Sequence, residues 1–298
     1  MSAQNADTNG KIVISLFAGC GGSSLGYKQA GFKELLAIDF EKNAVNTFRL
    51  NFPETPIWQR DIRSVHSSEI LEFCQIKKGE LDVLDGSPPC QGFSSAGKRN
   101  INDSRNDLFK EYVRIVKELE PKVFLMENVS GMVKGQMKGR FIEIFNELKK
   151  LNYNVKCSQL NSMFYEVPQN RKRLIFIGIR KDLNIIPTFP KMINNIIKVS
   201  DIYPTHIKMN REQFDRKWTD TNRPAYTIVK RVGLKFKLID GTIRRATIEE
   251  IKRLSSFPED FQLTGNFGVQ WAQVGNAVMP RFMYHLAKHI KEISSQSS

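Results

Sequence analysis

The sequence predicts an α/β protein: a doubly wound, mostly parallel sheet, accompanied by one small lobe of different character. Three observations predict it. Short β-rich runs alternate with helical patterns over residues 11–180, the rhythm of strand–crossover–strand units. That rhythm stops after Arg180, where Pro187, Pro190, Pro204 and Pro224 interrupt the chain and few long periodic segments remain. Helical periodicity resumes at Thr247. The expected division is 11–180 as the main domain, 181–243 as an irregular small lobe, and 244–298 as a return to the main domain.

Each element has its reason. Residues 12–17 (Ile12-Val13-Ile14-Ser15-Leu16-Phe17) are β-rich and run into glycines, which predicts the first strand. Further strands are expected at 35–39, 81–85, 123–127, 155–161 and 174–179. The clearest helix spans 107–119, where Leu108, Tyr112, Ile115 and Leu119 share one face. Thr247-Ile248-Glu249-Glu250 is a capping-box pattern that opens a helix through Ile251 and Leu254. A closing helix is expected over 282–293, with 294–298 frayed, and no internal repeat or low-complexity segment is found.

Composition narrows the class. The 298 residues, 41% hydrophobic, suit one large α/β domain with a smaller one attached. No apolar run approaches the roughly 20 residues that span a bilayer, and residues 1–10 lack an apolar signal core. A cytoplasmic protein with no membrane contact is expected. Cys20, Cys74, Cys90 and Cys157 form no Cys-x-x-Cys pair, which argues against zinc and against a disulfide framework. His285 and His289 are spaced i, i+4 with no carboxylate between them, so they read as a solvated helix face and no metal is expected. The net charge of +14 suits a polyanionic partner. Residues 181–243 hold 8 Lys and 4 Arg against 5 Asp and 1 Glu, a net of +6, so the small lobe carries a large share of the excess.

Four clusters carry the chemistry. Phe17-Ala18-Gly19-Cys20-Gly21-Gly22 joins a strand to a helix as a nucleotide-type loop, and Asp39 closes the second strand where a carboxylate accepts ribose hydroxyls. A dinucleotide fingerprint would place a third glycine at position 24, where Ser24 stands; this disfavours NAD, and S-adenosylmethionine, which has no pyrophosphate, fits better. Gly86-Ser87-Pro88-Pro89-Cys90-Gln91-Gly92 holds a lone thiol on a loop stiffened by two prolines and released by glycine. Glu127-Asn128-Val129 places an acid at a strand end, and Gln169-Asn170-Arg171-Lys172-Arg173 places two arginines at alternating positions before a strand. Taken singly, these read as a buried thiol, a solvated glutamate and edge charges. The four in this order, with strands beneath them, do not.

With these motifs the chain resembles the DNA (cytosine-5) methyltransferase family of bacterial modification enzymes, over residues 11–180 and 244–285. The resemblance implies a Rossmann-like S-adenosylmethionine-dependent fold. It also implies methyl transfer to C5 of cytosine in a specific double-stranded DNA sequence, with the base flipped out of the duplex. Cys90 would be the nucleophile at C6 and Glu127 the partner of N3, with Arg171 on the flipped base and Arg173 supporting the site. Phe17, Gly19, Gly21, Asp39, Asp61, Ile62, Pro89, Leu108, Asn276 and Val278 match cofactor-pocket positions. Residues 91–106 would form the loop that closes on DNA, with Gln91, Ser94, Lys98, Arg99 and Arg105 as contacts. Arg223, Lys230 and Arg231 are the expected contacts from the target-recognition lobe 181–243, which otherwise finds no confident counterpart. The family setting implies a cognate restriction endonuclease acting on the same site, and monomeric action is expected.

Three competing readings are weighed. A tRNA cytosine C5 methyltransferase would use the same residues, but the lobe lacks a Cys-Phe-Thr signature. A catalytically silent nucleic-acid-binding relative is disfavoured by the presence of Cys90, Glu127 and Arg171. An NAD-dependent oxidoreductase is disfavoured by Ser24.

Overall fold

The computed structural model describes residues 10–89, 108–133, 138–212, 217–231 and 233–295. Eight strands come first along the chain: β1 (Ile12–Leu16), β2 (Lys33–Asp39), β3 (Ile57–Gln59), β4 (Val83–Gly86), β5 (Val123–Val129), β6 (Tyr153–Asn161), β7 (Gln169–Asn170) and β8 (Lys172–Arg180). All but β7 build one sheet in the order β3-β2-β1-β4-β5-β8-β6. The first five run parallel, while β8 is antiparallel to both β5 and β6. The expected doubly wound, mostly parallel sheet is therefore present.

Alternation along the strands sorts side chains to two cores. Ile14, Leu16, Leu84, Phe124 and Met126 face α3 (Ser67–Cys74), α4 (Leu108–Leu119) and α5 (Lys138–Lys150). Val13, Val83, Leu125 and Ile177 face α1 (Gly22–Gln29) and α9 (Pro280–Ser294). Val45 and Phe48 of α2 (Lys42–Asn51) belong to a further core, shared with Ile228, Phe257 and Trp271 from the second half of the chain. From α9 alone, Phe282, Met283, Leu286 and Ile290 are fully buried. At about 1.5–3 kcal/mol per large apolar side chain, its docking is a major term in holding the C-terminal segment to the first helix.

The second half adds α6 (Val199–Ile202), β9 (His206–Arg211), β10 (Thr219–Asp220), β11 (Ala225–Tyr226), β12 (Leu234–Leu238), β13 (Ile243–Arg245), α7 (Ile248–Leu254) and α8 (Phe267–Asn276). β10-β9-β12-β13 form an antiparallel sheet, and β11 pairs with β7 in parallel. The expectation of an irregular lobe is thus corrected: it contains an antiparallel sheet, and β13 runs past residue 243. The reason is visible in Leu234-Lys235-Phe236-Lys237-Leu238, a period-two alternation that buries Leu234 and Phe236. The Thr247 capping box is present, with Glu250 N donating to Thr247 Oγ1 at 3.1 Å and Thr247 N to Glu250 Oε2 at 2.8 Å.

Other boundaries shift. Strand β3 was not expected, and β8 and β6 extend beyond 174–179 and 155–161 at their ends. The first strand stops at Leu16 because Phe17 turns to φ 57°. The two histidines of α9 are not a solvated face. His285 Nε2 meets Glu166 Oε2 at 2.7 Å and His289 Nε2 meets Thr188 Oγ1 at 2.9 Å. Among the described residues no helix is long and apolar enough to cross a membrane, and no group of three metal-ligating side chains occurs.

Candidate active site

The C-terminal edge of the parallel strands carries the glycine loop after β1, Asp39 at the end of β2 and Glu127 near the end of β5. After β1, Phe17, Gly19 and Gly21 adopt positive φ of 57°, 57° and 96°. The turn they make delivers the chain into α1, whose N-cap, Gly21, provides no side-chain hydrogen bond. The first N–H groups of this helix therefore point at the edge unclaimed by a cap, a setting that attracts a carboxylate. A Cβ built on Gly19 would meet nothing within 4 Å, so there is open space over the loop.

Asp39 ends β2 and ties this loop down. Its Oδ2 accepts from Gly19 N at 2.7 Å and its Oδ1 from Glu41 N at 2.8 Å. Burial raises its pKa, and these two N–H groups act against that rise. Each oxygen keeps a free lone pair for a ligand hydroxyl. The next residue, Phe40, is 72% exposed. Sequence reasoning missed it; the signal was an aromatic immediately after the strand-end acid. Asp61 caps a short turn by accepting from Arg63 N at 3.0 Å, while Ile62 is buried in the core. Leu108 opens α4, partly buried against the same core.

The chemistry side lies at the ends of β4, β5 and β8. Asn128 Nδ2 donates to Pro88 O at 3.2 Å, fastening the Pro88-Pro89 turn to the end of β5. Cys90, the next residue, lies outside the described residues, as do Gln91, Ser94, Lys98, Arg99 and Arg105. Glu127 is paired with Arg173, Nε to Oε1 at 2.6 Å. Burial lowers the Arg173 pKa, and Glu127 opposes that shift. Arg171 is placed differently from its neighbour. Its Nη1 donates to the carbonyls of Ile228 at 2.6 Å and Gly275 at 2.9 Å, and its Nη2 to Ala277 O at 3.2 Å. Arg173 thus stands with Glu127, whereas Arg171 binds backbone from two distant segments.

Those segments include the late motif. Asn276, exposed, ends α8, and Val278 is buried beside the first loop. A Cβ on Gly22 would stand 2.1 Å from Val278 O, so only glycine lets the two segments meet. Beneath the loop lies a buried polar group that sequence reasoning also missed. Asp85 is 2% exposed, burial pushes it up to about 8, and the Tyr27 hydroxyl donates to its Oδ1 at 3.5 Å. Glu34, bonded by Ser24 Oγ at 3.0 Å, is pushed by burial to about 7. Arg223, Lys230 and Arg231 are exposed on the lobe.

An α/β edge with a glycine loop, a strand-end carboxylate and a buried acid–guanidinium pair suits a group-transfer enzyme. The sequence profile described as "C-5 cytosine-specific DNA methylase" matches residues 12–227 and 188–292, and the chain belongs to that family. It is similar to the Type II methyltransferase M1.HphI of Haemophilus parahaemolyticus, 34% identical over 95% of this chain and 87% of the relative. It is also similar to the Type II methyltransferase M.NgoPII of Neisseria gonorrhoeae, 30% identical over 94% and 95%. Among solved structures, a prophage-encoded protein of E. coli matches with a TM-score of 0.78 at 24% identity, over 95% of this chain and 99% of that one. The Entamoeba histolytica methyltransferase EhMeth matches with a TM-score of 0.73 at 18% identity, over 96% and 99%. The protein is an enzyme, a DNA cytosine C5 methyltransferase of the Type II restriction–modification kind.

Proposed function

We propose that the enzyme takes its methyl group from S-adenosylmethionine and places it on C5 of a cytosine flipped out of a specific double-stranded DNA sequence. In this reading it acts as a monomer and is the modification partner of a nuclease that cuts the same site. Residues 181–243 serve as the target-recognition lobe on the 11–180 and 244–298 body.

The open space over Gly19 and the uncapped start of α1 suit the donor's amino-acid end. Asp39 is set for its ribose hydroxyls and Phe40 for stacking on its adenine, with Asp61 and Ile62 at the adenine edge. Phe17, Gly21, Pro89, Leu108, Asn276 and Val278 complete the pocket. Bound there, S-adenosylmethionine supplies an electrophilic methyl on a sulfonium. Cys90 attacks C6, and the C5=C6 electron pair becomes available at C5. Glu127, in its protonated form, donates to N3 as C6 is attacked, and Arg173 is the guanidinium positioned for the base, while Arg171 holds the frame. Once C5 carries the methyl and the donor has been left as a neutral thioether, water takes the C5 proton, and the C5–H electron pair re-forms C5=C6 as the Sγ–C6 bond breaks, returning the Cys90 thiolate.

The observation that carries the reading is the sealed Glu127–Arg173 pair next to the Pro88-Pro89 turn that leads into Cys90. The other thiols support it: burial pushes Cys20 and Cys157 up to about 12 and Cys74 to about 11, so none of them is a thiolate near neutral pH. The test is methyl-labelled S-adenosylmethionine with unmethylated genomic DNA and, in parallel, total tRNA. Label is expected in DNA as 5-methylcytosine and absent with Cys90→Ala. Label confined to tRNA, or undiminished in the variant, would overturn the reading.

A further inference from the structure

Two sealed carboxyls share one face of the main sheet. β4 and β5 run parallel with Asp85 opposite Leu125, so Glu127, two residues further on, lies on the same side as Asp85. That side is the one α1 covers, since Tyr27 of α1 donates from its hydroxyl to Asp85 Oδ1 at 3.5 Å. Asp85 is 2% exposed and Glu127 8%. Arg173 holds Glu127, Nε to Oε1 at 2.6 Å. Arg171 faces Glu127 as well, with its Nη groups spent on carbonyls. The groups that face Asp85 are Ser15 of β1, Ser23 and Tyr27 of α1, Glu34 of β2, Tyr112 of α4 and Glu127 itself, none of them a cation. Burial, then the charges of Glu34 and Glu127, push Asp85 up to about 8. Burial raises both tyrosines, which stay neutral over that range.

The guanidinium of Arg173 satisfies one negative charge, and two neighbouring carboxyls in a sealed layer do not both ionise cheaply. We propose that Asp85 is a positioning residue for the catalytic proton: it shares a single proton with Glu127, and so keeps a protonated Glu127 available to N3 of the base. The inference rests on the role given to Glu127 above and adds a second residue to it. One proton on two carboxyls makes two arrangements. With the proton on Asp85, ionised Glu127 keeps Arg173, and this is the resting form. With the proton on Glu127, Asp85 carries the negative charge, the Glu127 O–H can donate to N3, and Arg173 is released to the base. The ratio of the two forms does not change with pH while the pair holds one proton. The reactive share therefore stays level until the second proton leaves the pair.

The test uses the full chain and measures single-turnover methyl transfer to duplex DNA between pH 6 and 9, for the unaltered enzyme and for Asp85→Asn. Taking the ratio of the two rates cancels the titration of Cys90. In the variant the proton on Glu127 is exchanged with solvent alone. The ratio, unaltered over variant, is expected to rise about tenfold per pH unit up to about pH 8 and to level off above it. A ratio that does not change with pH, in a folded variant, would overturn the proposal, because a residue that only packs slows the reaction equally at every pH. So would the same pH-dependent loss in Glu34→Gln, which removes the neighbouring acid and leaves the pair intact. Infrared spectroscopy supplies a readout free of activity: the band of protonated carboxyls at pH 7 is expected to weaken in Asp85→Asn, and an unchanged band would also overturn it. If Asp85→Asn unfolds, Tyr27→Phe takes its place. Loss of the hydroxyl that donates to Asp85 is expected to move the upper break of the rate profile to higher pH, and an unmoved break counts against the proposal. Should the unaltered protein methylate no DNA, or Glu127→Gln keep full turnover, the functional reading has failed; should Glu127→Gln be slow while the Asp85→Asn ratio stays flat, only this inference has.

Discussion

Arg173 Nε lies 2.6 Å from Glu127 Oε1, with the two side chains 12% and 11% exposed. A charge pair this sealed is costly to break on one side only, because the surviving charge stays buried. In the function proposed above, the same pair would give a guanidinium to the carbonyl oxygen of the base and, once protonated, a carboxylic acid to its ring nitrogen.

Glu127→Gln is expected to keep the fold and DNA binding and to lower single-turnover methyl transfer by roughly 10²–10⁴-fold. Arg173→Met should be worse for stability, leaving Glu127 unpaired, and should lower Tm as well as rate. Turnover within a fewfold of the unaltered enzyme in Glu127→Gln would remove the acid from the mechanism.

Arg171→Lys should separate frame from chemistry. Lysine cannot reach three carbonyls at once, so the contacts to Ile228, Gly275 and Ala277 are lost in part. The expected result is a lower Tm, by an amount corresponding to about 2–4 kcal/mol, and a raised KM for the donor with a smaller change in kcat. A kcat loss as large as that of Glu127→Gln, at unchanged Tm, would return Arg171 to the base.

Gly22→Ala should be poorly tolerated although the change is one methyl group. The added carbon would stand 2.1 Å from Val278 O, backbone that has little room to yield. Weakened donor binding is expected by calorimetry, with destabilisation of about 1–3 kcal/mol. Donor affinity equal to that of the unaltered protein would show that the two segments do not form one pocket.

Two buried carboxyls give opposite pH signatures. Glu250, held by Arg244 and His206, lies at about 2, below its usual 4.5, despite burial. Its contribution, on the order of 3 kcal/mol, is complete above pH 4.5 and is lost as pH falls toward 2. Asp85 is raised from 3.8 to about 8, so its burial becomes more costly as pH rises between those values. Asp85→Asn is therefore expected to gain Tm over the unaltered enzyme as pH goes from 4 to 8, and Glu250→Gln to lose Tm most at neutral pH. Parallel Tm–pH curves for all three proteins would refute both assignments.

Much of this was legible in the chain because the signals are local. The apolar runs under β1, β4 and β5, and the stripe through Leu108, Tyr112, Ile115 and Leu119, need no partner to be recognised. What escaped depends on distant contacts. Arg171 and Arg173 look alike in sequence, and only the arrival of Ile228 and Gly275 beside one of them gives them different work. Asp85 reads as a strand residue until α1 covers it. The lobe's sheet was present in the alternation of residues 234–238, but the prolines around it masked the pattern.

The closure of Val278 onto Gly22 bears on how the enzyme comes into being. Residues 17–22 emerge from the ribosome more than 250 positions ahead of the segment that completes their pocket. A nascent chain can pair its early strands as they appear, yet the contact between Gly22 and Val278 waits until residue 278 is free to fold back. If the donor sits where proposed above, methylating capacity comes in one late step of synthesis, and a chain broken off before that residue cannot complete the pocket.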